Sequence, residues 1–117
     1  MAKKTPELTR PPRERAFLVG VEVHSNPGLL SMEDSLAELA MLADTAGLDV
    51  IGMETQKIDR PHPKTFIGSG KVLEIKALAE ETLAQVIVFD NELSPTHQRE
   101  LEEAFGDHVR LLDRTAL

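Results

Sequence analysis

The sequence has no cysteine, which excludes disulfide bonds, thiolate zinc sites and thiol catalysis. It has no Trp or Tyr and only four Phe, so it has few aromatic rings on which single-stranded nucleic acid could stack. Its apolar runs are too short to form a membrane-spanning helix, and none follows the basic N-terminus as a secretory signal requires. These absences fit a cytoplasmic protein without a membrane span.

Charge is distributed unevenly along the 117 residues, which carry a net charge of −7. Residues 1–15 hold five Lys or Arg and two Glu, and residues 57–71 hold four Lys or Arg and one Asp. Each segment therefore carries +3, and the remainder carries −13. An acidic body disfavours nonspecific nucleic-acid binding, and no DNA partner is expected. It leaves the basic segment, residues 57–71, as a contact for one anionic partner or, alternatively, as a solvated loop.

Apolar patterning predicts strands and helices in strict alternation. Short apolar runs lie at 16–23, 48–58, 86–89 and 109–112, and stripes at helical spacing lie between them. Residues 1–14 are proline-rich and charged, and they predict a flexible basic leader before an α/β domain over residues 15–117. A short additional strand is expected at Thr65–Ile67.

This order predicts the α/β fold class: a small four-stranded, mostly parallel sheet with helices on both faces and the strand order 2-1-3-4. One core is expected to contain the residues Leu39, Ala43, Ile75, Val88, Phe105 and Leu111.

The carboxyl edge of such a sheet is where open α/β folds place their ligands. The polar residues expected to gather at this edge are Asn26, Asp90, Asn91, Asp113 and Arg114. The simpler interpretation, which we favour, is that they cap strands and helices and bind nothing.

The run Gly68-Ser69-Gly70-Lys71 precedes the second predicted helix and is a candidate anion site, together with Arg60 and Lys64. It is not a P-loop. Thr65 stands where that motif has its first glycine, and Val72 stands where it has the hydroxyl that holds magnesium. The run is therefore a candidate phosphate site, for a nucleotide or rRNA, but it is not built to hydrolyse a nucleoside triphosphate. Alternatively, the glycines only permit a tight turn and Lys71 is solvated.

No catalytic or metal-binding residues are predicted. The four histidines do not have the spacing of a zinc site, and no serine lies in a Gly-x-Ser-x-Gly context.

Three motifs in order resemble those of the N-terminal domain of HflX-type GTPases: Thr65-Phe66-Ile67-Gly68-Ser69-Gly70-Lys71, Asp90-Asn91-Glu92-Leu93-Ser94-Pro95 and Leu112-Asp113-Arg114-Thr115. The resemblance implies a fragment that ends before a helical hairpin and a G domain. It implies binding to the large ribosomal subunit and help in dissociating stalled ribosomes. GTP and magnesium are implied for the full-length protein, no cofactor is expected in this fragment, and ATP is a candidate ligand of Gly68–Lys71. A stand-alone Rossmann-like nucleotide-binding regulatory domain is the alternative.

Overall fold

The computed structural model describes residues 12–24, 28 and 30–117. The predicted leader lies outside these residues up to position 11, and Asn26 also lies outside them. In chain order the elements are β1 Glu14–Val23, α1 Met32–Thr45, β2 Leu48–Ile58, α2 Ser69–Glu81, β3 Val86–Phe89, α3 Pro95–Phe105, β4 Arg110–Asp113 and a 3₁₀ turn Arg114–Ala116.

The four strands form one sheet in the order β2-β1-β3-β4, and every strand pair is parallel. The predicted fold class and strand order are confirmed. The expected strand at Thr65–Ile67 is wrong, because this segment contributes only an isolated antiparallel bridge between His62 and Phe66. Pro61 and Pro63 lack the N–H groups that a longer ladder needs, and Phe66 has a φ of +67°.

Local side-chain chemistry fixes the ends of the helices. The Ser31 and Ser94 hydroxyls accept hydrogen bonds from the N–H groups of Asp34 and His97, both at 3.1 Å, so each serine caps its helix. Gly47 and Gly106 follow α1 and α3 with φ values of +91° and +88°, which glycine adopts without strain. Within the described ranges, no helix is long and apolar enough to cross a membrane.

The hydrophobic core has two layers, so the expectation of one core is wrong. All six residues named for it are buried, but the sheet divides them. Leu39, Ala43 and Val88 lie in the layer under α1, whereas Ile75, Phe105 and Leu111 lie in the layer under α2 and α3. Successive residues of a strand point to opposite faces, and the central strands are covered on both sides.

The lengths of the strands determine what the carboxyl edge presents. β3 pairs with β1 only over Ala16–Val19, whereas β1 and β2 pair from Glu14 to Val23. The two longer strands therefore extend past the end of β3, and β2 leads into the basic segment at this edge.

Candidate functional site

The basic segment presents three exposed cations. Lys57 and Arg60 are exposed and form no ion pair within the described part of the chain. Lys64 is 69% exposed, and its ammonium lies 3.8 Å from a carboxylate oxygen of Glu100. Arg60 and Lys64 are predicted site residues. The sequence pattern does not distinguish Lys57 from the other alternating residues of β2.

The segment is anchored to the body of the domain at Phe66. The N–H and carbonyl groups of His62 and Phe66 are hydrogen bonded to each other, both at 3.0 Å. The Ile67 N–H donates to the Thr65 carbonyl at 2.6 Å, which makes a tight turn around Phe66 at its positive φ. This backbone is strained for a bulky residue, and such strain concentrates at functional sites.

Aromatic packing holds that turn in place. The buried Phe66 ring meets the rings of Phe89 and His97 edge to face, with centroids 6.5 and 5.3 Å away. The His97 Nε2 atom lies 3.0 Å from the His62 carbonyl oxygen. The loop after β2 is therefore fixed against β3 and α3, and its exposed cations are displayed on a preformed backbone.

Lys71 is occupied by internal partners. Its ammonium donates to Glu54 at 2.6 Å and Glu74 at 3.2 Å, and the side chain is 13% exposed. Burial alone would lower the pKa of Lys71, but the hydrogen bonds to both carboxylates raise it. The hydrogen bond from Lys71 in turn holds the pKa of Glu54 below its usual range. Lys71 therefore joins β2 to α2, and its charge is largely balanced before any partner arrives.

Gly68 and Gly70 are not required by the local backbone. Gly68 caps α2 with a φ of −66°, and Gly70 lies in the first turn of the helix. A Cβ added at either position would meet no atom of the described residues within 4 Å. The turn therefore does not need glycine here, and the missing side chains leave the first N–H groups of α2 uncovered on the solvent side.

Asp90 and Arg114 do meet at the carboxyl edge, as predicted. Arg114 Nη2 lies 2.7 Å from Asp90 Oδ1, and Arg114 Nη1 lies 2.7 Å from Glu38. Ser35 donates its hydroxyl to Asp90 and accepts at its carbonyl from Arg114 at 3.0 Å. We call Ser35, Glu38, Asp90 and Arg114 the edge network. It links α1, the end of β3 and the 3₁₀ turn.

The other two predicted edge residues within the described ranges complete backbone hydrogen bonding. The Asn91 amide accepts from the Val21 N–H at 3.1 Å and donates to the Val21 carbonyl at 2.8 Å. Asp113 accepts from the Leu93 N–H at 2.9 Å and from the N–H of Thr115 at 3.1 Å. Both side chains are therefore engaged by the backbone at this edge of the sheet.

A cavity of about 470 Å³ lies beside the edge network at the β1–β3 boundary. Three carboxylates, those of Glu22, Glu38 and Asp90, line it together with Arg114. This charge balance disfavours a phosphate, so an anionic partner fits the basic segment better than the cavity. Within the described ranges, no cluster of His, Asp and Glu is arranged to hold a metal ion.

Stability should fall steeply in acid through Asp113 and Glu54. Burial would raise the pKa of Asp113, but hydrogen bonds from Leu93 and Thr115 outweigh it and lower the pKa. Groups with lowered pKa values stabilise the native state at neutral pH, and this contribution is lost as the pH falls below about 4. Urea unfolding at a series of pH values measures the loss. Asp113→Asn should show a shallower decline, and an unchanged decline would contradict the assignment.

Comparisons with known proteins agree with the sequence motifs. A family model described as "GTP-binding GTPase N-terminal" matches residues 33–117. "GTPase HflX" of Flavobacterium psychrophilum is 38% identical over 104 residues, which cover 89% of this chain and 24% of that protein. "GTPase HflX" of Caldanaerobacter subterraneus is 40% identical over 111 residues, which cover 95% of this chain and 24% of that protein. The chain thus spans about a quarter of the length of these relatives.

A solved structure supports the fold. The crystal structure of a variant of SsGBP superimposes with a TM-score of 0.62 at 17% identity, over 85% of this chain and 29% of that one. At this identity the likeness establishes the architecture alone. The family match and the relatives above show that the chain belongs to the HflX GTPase family and corresponds to its N-terminal domain.

Proposed function

We propose that this chain is the docking domain of an HflX-type GTP-binding protein and that its basic segment contacts rRNA of the large ribosomal subunit. The proposal rests on three exposed cations, Lys57 near the end of β2 and Arg60 and Lys64 on the anchored loop that follows. Outside residues 1–15 and 57–71 the chain repels RNA, because that part carries a net charge of −13. Such a domain would act in the cytoplasm.

Ribosome dissociation is assigned to the full-length protein, with this chain supplying attachment. We assign GTP and magnesium to a G domain, because the described residues around Gly68–Lys71 do not fit a magnesium-dependent nucleotide site. Val72 replaces the magnesium-binding hydroxyl, and the Lys71 ammonium is held by Glu54 and Glu74. The same two carboxylates would face a triphosphate at Gly68–Lys71, which disfavours ATP there. The alternative of a stand-alone nucleotide-binding domain is therefore less well supported.

Cosedimentation tests the docking proposal directly. The 117-residue chain is mixed with purified large or small ribosomal subunits, and the pelleted protein is measured. We expect the chain to pellet with large subunits at low salt and to leave 70S ribosomes undissociated. Equal pelleting with both subunits, or with neither, would contradict the proposal.

Replacing Gly70 with alanine should affect the stability of the domain and its binding to large subunits differently. Gly70 lies in α2 with room for a Cβ, so Gly70→Ala should raise the free energy of unfolding by about 0.5–1 kcal/mol. Binding to large subunits should stay unchanged, because Glu54 and Glu74 disfavour a phosphate at the start of α2 and the proposed contact lies at Lys57, Arg60 and Lys64. Urea unfolding and cosedimentation measure the two effects.

Gly47→Ala is the matched control for Gly70→Ala. Its added Cβ also meets no described atom within 4 Å, but its φ is +91°. It should destabilise the domain by about 1 kcal/mol and leave binding unchanged. Weakened binding by a stabilised Gly70→Ala variant would show that the start of α2 is part of the contact and would contradict this assignment.

The chain should hydrolyse neither GTP nor ATP, because it lacks the P-loop residues at positions 65 and 72. Phosphate release is measured on protein free of contaminating NTPases. Steady turnover that Lys71→Ala abolishes would contradict this assignment.

A further inference from the structure

We infer that the basic segment recognises RNA in its base-paired, helical form and contacts it through the phosphate backbone. This inference rests on the proposed function and specifies which form of RNA is bound.

The first observation is the burial of the aromatic side chains. Proteins that bind single-stranded RNA stack its bases on exposed aromatic rings. All four phenylalanines are buried, namely Phe17, Phe66, Phe89 and Phe105. The sequence has no Trp or Tyr. Phe66 is the phenylalanine within the basic segment, and its ring faces Phe89 and His97 in the interior. The surface therefore offers no Phe, Tyr or Trp ring as a stacking platform.

The second observation is that the cations stand on a fixed backbone. The paired hydrogen bonds between His62 and Phe66 and the contact from His97 to His62 hold the loop between Arg60 and Lys64. A preformed array of charges loses little conformational entropy when it binds. Charges on a fixed backbone suit the regularly spaced phosphates of a helix better than those of a flexible single strand.

Electrostatics favours the same form of RNA. A duplex has a higher charge density than a single strand, so each phosphate that a cation neutralises releases more counterion. Charge is the main source of affinity, and the surface has no Phe, Tyr or Trp ring that could add stacking energy for a single strand. The duplex is therefore the better ligand.

The test compares two labelled RNAs of equal length, a hairpin with a fully paired stem and an oligouridine. Fluorescence anisotropy gives the Kd of the 117-residue chain for each at several salt concentrations. We expect about tenfold tighter binding to the hairpin, since the surface has no Phe, Tyr or Trp ring on which a single strand could stack. Arg60→Ala and Lys64→Ala should each weaken hairpin binding and reduce the log–log salt slope by about one.

Lys76→Ala is the matched control, because Lys76 lines a groove with Arg15, Gln85 and His108 at the amino end of the sheet. It should leave the hairpin Kd and the salt slope unchanged. Equal or tighter binding to oligouridine would overturn the inference. If the chain pellets with large subunits but does not bind the hairpin, the inference alone fails. If it binds neither RNA nor large subunits, the proposed function fails as well.

Discussion

Replacing Val88 with aspartate is expected to unfold the domain. Val88 is fully buried in β3, where it pairs with Leu18 of β1 and Leu112 of β4. Its side chain lies in the layer under α1, so the new carboxylate would have no route to water. An unpaired buried charge costs several kcal/mol, which is on the order of the total stability of about 5–15 kcal/mol. Far-UV circular dichroism and thermal melting at neutral pH should show loss of the cooperative transition.

Thr55→Asp is the control for introducing a negative charge into the sheet at an exposed position. Thr55 is exposed on β2, which forms an edge of the sheet, so this variant should melt close to the unmodified protein. A native-like melting curve for Val88→Asp would show that β3 is not the buried central strand.

Asp90→Asn should produce the second largest loss of stability. The Asp90 side chain is 5% exposed and accepts from Arg114 and Ser35, while Arg114 is 28% exposed. Asparagine preserves the shape but removes the charge that balances Arg114. Removing one partner of a buried pair costs about 3–5 kcal/mol, and the partial exposure of Arg114 lowers the expected loss to roughly 2–4 kcal/mol. Urea unfolding at neutral pH, with an unchanged m value, measures it.

Asp44→Asn provides the comparison with an exposed pair. Asp44 pairs with Arg13 at 2.8 Å, but both side chains are largely in water. Loss of this ion pair should change the urea unfolding midpoint little, because exposed ion pairs contribute little to stability. Equal effects of Asp44→Asn and Asp90→Asn would contradict the stabilising role of the edge network.

The architecture could be predicted because its determinants are local. Apolar runs, the capping serines Ser31 and Ser94, and the glycines that follow α1 and α3 are each encoded within a few residues. The alternation of strands and helices predicted a parallel sheet, but it did not determine the strand order, which was assigned by analogy with doubly wound sheets. The division of the core into two layers was missed, because the sequence does not state which helix covers which face.

The site could be predicted only in outline, because side-chain pairing is not local. The sequence places Lys71 beside two glycines, but Glu54 reaches it from β2 across the fold. Asp90 and Arg114 were expected at one edge, whereas their pairing with Glu38 depends on how α1 packs. Lys57 was overlooked among the alternating residues of β2, and only its exposure next to the loop identifies it as part of the charged surface.

The most direct test of the docking account is a charge-reversal comparison on large ribosomal subunits. One variant carries Arg60→Glu and Lys64→Glu in the basic segment. The comparison variant carries Lys76→Glu and Arg110→Glu at the amino end of the sheet, so the two variants have the same net charge. Circular dichroism confirms that both are folded before binding is measured at several salt concentrations. We expect the basic-segment variant to lose binding and salt dependence and the amino-end variant to keep both; equal losses would contradict the docking proposal.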